Sequence, residues 1–237
     1  MYPSALLPLL LLLLQLCGCI QGQVRSMYKN FCHQRDTVAN KTVALTFDDG
    51  PHAVLTPRLL DVLRPRGIKV SFYVMGIKAA MHPAILQMAY SEGHEIANHV
   101  WDHPVLTKIK ETSVMDQINR TNDVIRSAIN RFPTTMRPPY GNTNRKLEKY
   151  ISEAVQLPVI LWSLDSLDWR HPPVDKMVSK IIKDVKPGDI ILMHDIHAGS
   201  IEAVKTLVER LLDKGFTFRT VSELVRRDAN YTKIKAA

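Results

Sequence analysis

Asp48 and Asp49 stand side by side at the end of a short apolar run, Thr42-Val43-Ala44-Leu45-Thr46-Phe47. Adjacent carboxylates repel, so a fold keeps them together only where a metal ion, a shared proton or a basic partner compensates the charge. Followed by Gly50-Pro51, the pair could equally close a solvated hairpin turn. Its company in the chain decides between the two. His99 and His103 lie four apart in Asn98-His99-Val100-Trp101-Asp102-His103-Pro104, a spacing that brings two imidazoles to one side of a turn. With one carboxylate from the first run they make a set of two histidines and one acid, which leaves coordination positions open for water and substrate. Such a centre serves catalysis rather than structure, and zinc, cobalt, nickel or iron all suit it.

The remaining polar outliers supply what a metal-assisted hydrolysis needs. The aspartate left off the metal is available as a base, and Arg137 could hold it ionised and oriented. Tyr140, in Pro138-Pro139-Tyr140-Gly141, can offer its backbone N–H to a developing oxyanion, a donor worth roughly 3 kcal/mol. His194, ending Ile190-Ile191-Leu192-Met193, is placed to return a proton to the leaving group if a carboxylate such as Asp168 raises its pKa. Each has a plainer reading: Arg137 capping a helix, His194-Asp195 as a local turn pair, Trp169 as core packing.

The elements that must position these residues alternate. Short β-branched runs near 42–47, 69–74, 95–98, 135–137, 157–162, 189–193 and 216–220 read as strands. Amphipathic runs near 56–64, 83–91, 113–131, 143–155, 174–184, 200–214 and 221–227 read as helices. Ser113 precedes Asp116 at capping-box spacing, and Ser222 marks the start of the last helix. Gly67, Gly93, Gly188 and Gly215 fall between a helix and the next strand, where a left-handed residue is wanted. About seven β-α units point to an α/β fold that closes as an irregular (β/α) barrel, smaller than the eight-unit kind. An open doubly wound sheet is the alternative, without a Gly-x-Gly-x-x-Gly turn to support it. In a parallel barrel all strand C-termini share one face, and Asp48, Asp49, His99, His103, Arg137, Tyr140, Asp165, Asp168, Trp169, His194 and Asp195 all follow strands. They therefore converge on one cleft.

With 237 residues, 46% of them hydrophobic, the chain suits one core and a monomer is expected. Residues 1–22 read as a secretory signal: the leucine run over 6–16 is too short to cross a bilayer of about 30 Å, so no transmembrane segment is expected. Leu16-Cys17-Gly18-Cys19 also allows a lipoprotein reading with a lipid on Cys19. Residues 23–40 form an N-terminal arm, 41–228 the domain and 229–237 a tail. Cleavage would leave Cys32 without a partner, so the domain relies on its core and not on disulfides. Asn40, Asn119 and Asn230 begin glycosylation sequons. The net charge of +8 favours an anionic surface such as a cell wall, and the scattered Lys and Arg residues argue against nucleic acid.

Taken in order, Thr46-Phe47-Asp48-Asp49-Gly50-Pro51, His99 to His103, Arg137-Pro138-Pro139-Tyr140, Asp165-Ser166-Leu167-Asp168-Trp169 and Leu192-Met193-His194-Asp195 resemble the five motifs of the polysaccharide deacetylase (NodB-homology) family. The resemblance spans roughly residues 40–225. It implies a secreted or wall-associated, metal-dependent hydrolase, zinc being its expected metal, that removes N-acetyl groups from an N-acetylglucosamine polymer such as chitin, chitooligosaccharide or a related wall glycan. It also implies that Asp48 is the general base and that Asp49, His99 and His103 bind the metal. Arg137 and Asp168 would tune Asp48 and His194, His194 would be the general acid, Tyr140 would supply the oxyanion N–H and Trp169 would line the acetyl pocket. One departure stands out: the family usually carries Ser or Thr after its first motif histidine, and here Val100 takes that place, with Asp102 an extra carboxylate beside His103. A lost supporting hydrogen bond weakens metal affinity by about 10- to 100-fold. A weak or inactive glycan-binding protein on the same fold is therefore the rival reading, and an O-acetyl esterase of xylan or peptidoglycan a third.

Overall fold

The computed structural model describes residues 41–226; the expected signal, arm and tail, with their cysteines and the sequons at Asn40 and Asn230, lie outside that range. Six parallel strands form the sheet: β1 (Thr42–Asp48), β2 (Ser71–Val74), β3 (Glu95–Asn98), β4 (Leu164–Asp165), β5 (Ile190–His194) and β6 (Thr217–Phe218). Their order is β3-β2-β1-β5-β4, with β6 paired to the start of β1. The period-2 pattern of β1 explains its burial on both sides. Val43, Leu45 and Phe47 join the large outer core under the helices, whereas Ala44 faces an inner cluster with Tyr73, Ala97, Ile160 and Ile190.

Two expected strands shrink. The run at 135–137 keeps only Met136, bridged to Asn98 on one side and to Val159 on the other. Pro133 precedes it and Pro138 and Pro139 follow, and a proline has no N–H to continue a ladder. The run at 157–162 likewise pairs only at Val159, and ladder pairing resumes beyond it at Leu164 and Asp165, now with β5. One segment thus pairs first with Met136 and then with β5, and so closes the ring β1-β2-β3-Met136-β4-β5 as an irregular barrel.

The helices are α1 (Leu55–Leu63), α2 (Gly76–Met81), α3 (Pro83–Ser91), α4 (Glu111–Ile129), α5 (Arg145–Val155), α6 (Val174–Asp184), α7 (Ala198–Asp213) and α8 (Val221–Arg226). The short α2 escapes the sequence pattern. Its Gly76 is dictated by contact, because a Cβ there would sit 2.5 Å from both Thr121 Oγ1 and the Trp101 ring. α4 begins before Ser113, so the Ser113–Asp116 capping box does not form and Lys110 is the N-cap, without a side-chain bond. At α8 the box is built one step earlier than expected: Thr220 N–H donates to Glu223 Oε2 at 3.1 Å and Glu223 N–H to Thr220 Oγ1 at 3.3 Å. The four inter-element glycines all adopt positive φ, from 63° to 88°.

α8 plugs the N-terminal end of the barrel through Val221, Leu224 and Val225. Glu95 ties it there, accepting from Ser71 Oγ (2.7 Å), Thr134 Oγ1 (2.9 Å), Thr135 Oγ1 (3.2 Å) and Ser222 N–H (3.0 Å). Removing the carboxylate strands several donors at once. Glu95→Ala is therefore expected to cost about 3 kcal/mol, with amide exchange in α8 rising first; unchanged exchange there would refute the tie.

Candidate active site

The C-terminal ends of the strands bring the expected residues together. Asp48 ends β1, directly paired across the ladder with His194 at the end of β5. Asp49 follows in the left-handed region (φ 71°), which turns its carboxylate away from its neighbour's and toward the loop after β3. There His99 Nε2 lies 3.3 Å and His103 Nε2 3.2 Å from Asp49 Oδ1. One ligand atom from each of Asp49, His99 and His103 falls within 4.8 Å of the others, an arrangement that could hold a metal ion. Asp49 Oδ1 is buried without a hydrogen-bond partner, as an oxygen waiting for a cation would be. Burial alone would raise the Asp49 pKa, but His103 and His99 outweigh it and hold the carboxyl well below the usual range.

His99 Nδ1–H donates to the Arg137 carbonyl at 2.8 Å, which fixes the tautomer and aims the Nε2 lone pair at the metal position. Val100 is fully buried in the core and its N–H donates to Asn98 Oδ1 at 2.7 Å. Asp102 is turned to Gln117, whose Nε2 donates to it at 2.7 Å.

Asp48 is held differently. The Arg137 guanidinium, fully buried, donates through Nη1 to Asp48 Oδ1 at 2.6 Å and to Thr46 Oγ1 at 2.9 Å. Its Nε and Nη2 reach the carbonyls of Ile160 and Leu161, both at 3.2 Å, and its plane lies over the Tyr73 ring at 4.0 Å. The helix-cap reading of Arg137 is therefore wrong. With Oδ1 engaged, Asp48 keeps Oδ2 free of the arginine, 3.8 Å from His99 Nε2.

On the opposite side, His194 Nδ1–H donates to Asp168 Oδ1 at 2.8 Å. Asp168 Oδ2 accepts from His194 N–H (2.7 Å) and Ser200 Oγ (2.6 Å), which locks the pair. Burial pulls the His194 pKa down, but Asp168, by hydrogen bond and charge, pushes it up to about 9. His194 and Asp195 do not pair with each other: Asp195 points down to Thr56. Burial pushes its pKa up to about 7, against the Thr56 bond.

Tyr140 is 66% exposed, adopts φ 61° and sets its ring edge-on against His103 at 4.6 Å. Trp169 is not core packing either: it is 45% exposed, with Nε1 3.4 Å from Asp165 Oδ2. Both rings stand as half-open walls. Of the eight non-glycine residues with positive φ among the described residues, Asn130 and Gln156 end helices, and Asp49, Val100, His103, Tyr140, Leu167 and His171 all belong to the loops carrying this site. Val100 is the most strained type there, since a β-branched residue at φ 58° is an outlier.

Several supporting residues gave no signal in the sequence. Lys78 Nζ donates to the Asp49 carbonyl at 2.8 Å, Ser200 holds Asp168, and Thr46 anchors Arg137. The rings of His171 and His197, 4.7 Å apart, lead outward from His194, which lies 5.8 Å from His197. The pattern that could have exposed this file is His194-Asp195-Ile196-His197, three residues apart.

Residues 35–157 match the family described as polysaccharide deacetylase. Over 185 residues the chain is 39% identical to the peptidoglycan-N-acetylglucosamine deacetylase PgdA of Listeria monocytogenes, an alignment that takes in 78% of this chain and 39% of that protein, so the chain spans about two fifths of that relative. It is 33% identical over 196 residues to a chitooligosaccharide deacetylase of Sinorhizobium fredii, covering 77% of this chain and 91% of the relative. A solved structure described as the T48 deacetylase with substrate superposes with a TM-score of 0.75 at 39% identity, covering 80% of this chain and 92% of that one. The motifs, the barrel and these likenesses agree, and the chain belongs to the polysaccharide deacetylase family.

Proposed function

We propose that the protein is a zinc-dependent hydrolase that removes acetyl groups from N-acetylglucosamine units of a cell-wall glycan, peptidoglycan or chitin-type. The observation that carries this reading is the cluster of Asp49, His99 and His103 ligand atoms beside Asp48, whose Oδ2 lies 3.8 Å from His99 Nε2 and whose ladder partner is His194. Asp49, His99 and His103 would hold the metal, and two imidazoles with one carboxylate suit zinc, with cobalt or nickel as substitutes. When bound, such an ion polarises the acetamide carbonyl and lowers the pKa of a water molecule to about 7.

The chain's own residues do the rest. Asp48 Oδ2 takes the proton of the attacking water, while Arg137 on Oδ1 holds the carboxylate in place. The Tyr140 backbone N–H would donate to the oxygen that gains charge as water adds to the carbonyl. His194 Nε2 then gives its proton to the departing sugar nitrogen, its Nδ1–H staying on Asp168 throughout. Trp169 forms the apolar wall against the acetyl methyl. The excess of positive charge supports work at an anionic wall surface outside the cell.

Purified protein loaded with zinc is expected to release acetate from peptidoglycan or chitooligosaccharide, to lose that activity to a chelator, and to regain it with zinc or cobalt. Asp49→Ala should abolish both metal binding and turnover. Acetate release only from O-acetylated xylan in the same panel, or full activity after demonstrated removal of metal, would sink the proposal.

A further inference from the structure

Asp195 has no part in the proton transfers above, yet it is completely buried against the turn that carries Asp49. A Cβ built on Gly50 would fall 2.3 Å from both of its carboxyl oxygens, so the Gly50 backbone rests directly on this carboxyl. Thr56 Oγ1 donates to Asp195 Oδ2 and accepts from His52 N–H at 2.8 Å, so the far side of the same turn is fastened to the same hydroxyl. Behind the carboxyl lies an apolar cavity of about 10 Å³ lined by Phe72, Val74, Leu86 and Ile96, and Asp195 Oδ1 has no hydrogen-bond partner. A cavity of that size is at the lower limit for holding a water, and Thr56 and Asp195 are the polar side chains on its wall. A buried carboxyl with half its capacity unused is a poor stabiliser, and an apolar residue of its size would fill the core better. What the carboxyl does provide is a rigid floor with a fixed height.

We infer that Asp195 is a positioning residue for the metal site: clamped by Thr56, its carboxyl sets the height of the Gly50 turn and thereby the direction in which Asp49 presents Oδ1 to His99 and His103. The upper side of the turn is already fixed, since Met75 N–H donates to the Gly50 carbonyl at 2.9 Å and Lys78 Nζ to the Asp49 carbonyl at 2.8 Å. Without the floor, the turn can drop into the space below, carrying the ligand oxygen away from the two imidazoles that lie little more than 3 Å from it. The inference rests on the reading of Asp49, His99 and His103 as a metal centre.

The test compares Asp195→Asn, Asp195→Ala and Thr56→Val with the unsubstituted protein. It measures the zinc dissociation constant by competition with a chromophoric chelator, the visible absorption of the cobalt-loaded protein, and the melting temperature without metal. Asparagine keeps the shape and the oxygen that accepts from Thr56, so it should retain zinc affinity and the cobalt spectrum. Asp195→Ala should bind zinc about 10- to 100-fold more weakly and with an altered cobalt band, because an outer residue that orients a ligand has an effect of that size. Thr56→Val, which removes the hydroxyl that clamps Asp195 and accepts from His52 N–H, should move both readouts in the same direction, and it decides the matter should the alanine variant not fold. Zinc bound as tightly by Asp195→Ala, or by Thr56→Val in its place, as by the unsubstituted protein overturns the role of Asp195 alone. An unsubstituted protein that binds no zinc overturns the metal centre as well.

Discussion

Arg137→Met is expected to cost about 3–5 kcal/mol of stability, because it leaves Asp48 buried with no countercharge. For a domain of this size that corresponds to a melting temperature lower by roughly 6–20 °C. The loss arises at the centre of the barrel: the guanidinium links Asp48, Thr46 and the carbonyls of Ile160 and Leu161, so three chain segments meet on one side chain. Lysine cannot replace it, having neither the fork nor the plane that lies over Tyr73. Adding Asp48→Asn to Arg137→Met should recover much of the stability and none of the activity, since the stranded charge disappears together with the base. A melting temperature unmoved by Arg137→Met would contradict the central place given to this pair.

The second large effect concerns the other side of the cleft. His194→Ala should lower kcat by about 10²–10⁴, the usual contribution of a positioned general acid. Asp168→Asn should act on pH rather than only on rate. With Asp168 present the His194 pKa is raised from 6.5 to about 9; a cation in the neighbouring site opposes part of that rise, so the alkaline limb of kcat/KM for the zinc enzyme should fall between these values. Without the carboxylate, burial dominates and the limb should move to or below 6.5. Stability follows the same linkage. A histidine whose folded pKa lies above its unfolded value stabilises fully below 6.5, and this stabilisation is lost as pH rises through about 9. An alkaline limb identical in Asp168→Asn and the unsubstituted enzyme would exclude the pair as the acid.

Most of the frame was legible because the two periods of the sequence differ so plainly. β1, β2, β3 and β5 fall where the β-branched runs are, and the long helices where the apolar spacing is 3.6. The misreadings at 135–137 and 157–162 share one cause: prolines, flanking the first run and at Pro158 inside the second, removed donors that an apolar run alone implied. Charged site residues were legible because carboxylates and histidines after strands are costly to bury and so stand out. Hydroxyls do not. Thr46, Thr56 and Ser200 are neutral and common, and their partners Arg137, Asp195 and Asp168 lie 91, 139 and 32 residues away in sequence, so only the folded chain reveals their work. His99 is held from outside its own motif, since its Nδ1–H reaches the Arg137 carbonyl 38 residues away.

The way the barrel closes bears on how the cleft could widen. Segment 157–165 pairs with Met136 through Val159 alone and with β5 through only Leu164 and Asp165. Tyr140 hangs just beyond the first grip and Trp169 just beyond the second, so the two aromatic walls share a single tether. Slack in that tether would part them together, like two leaves on one hinge, while the rows that hold Asp48 beside His194 stay shut. A glycan of the kind proposed could thus be admitted at the rim without disturbing the residues that would remove its acetyl groups.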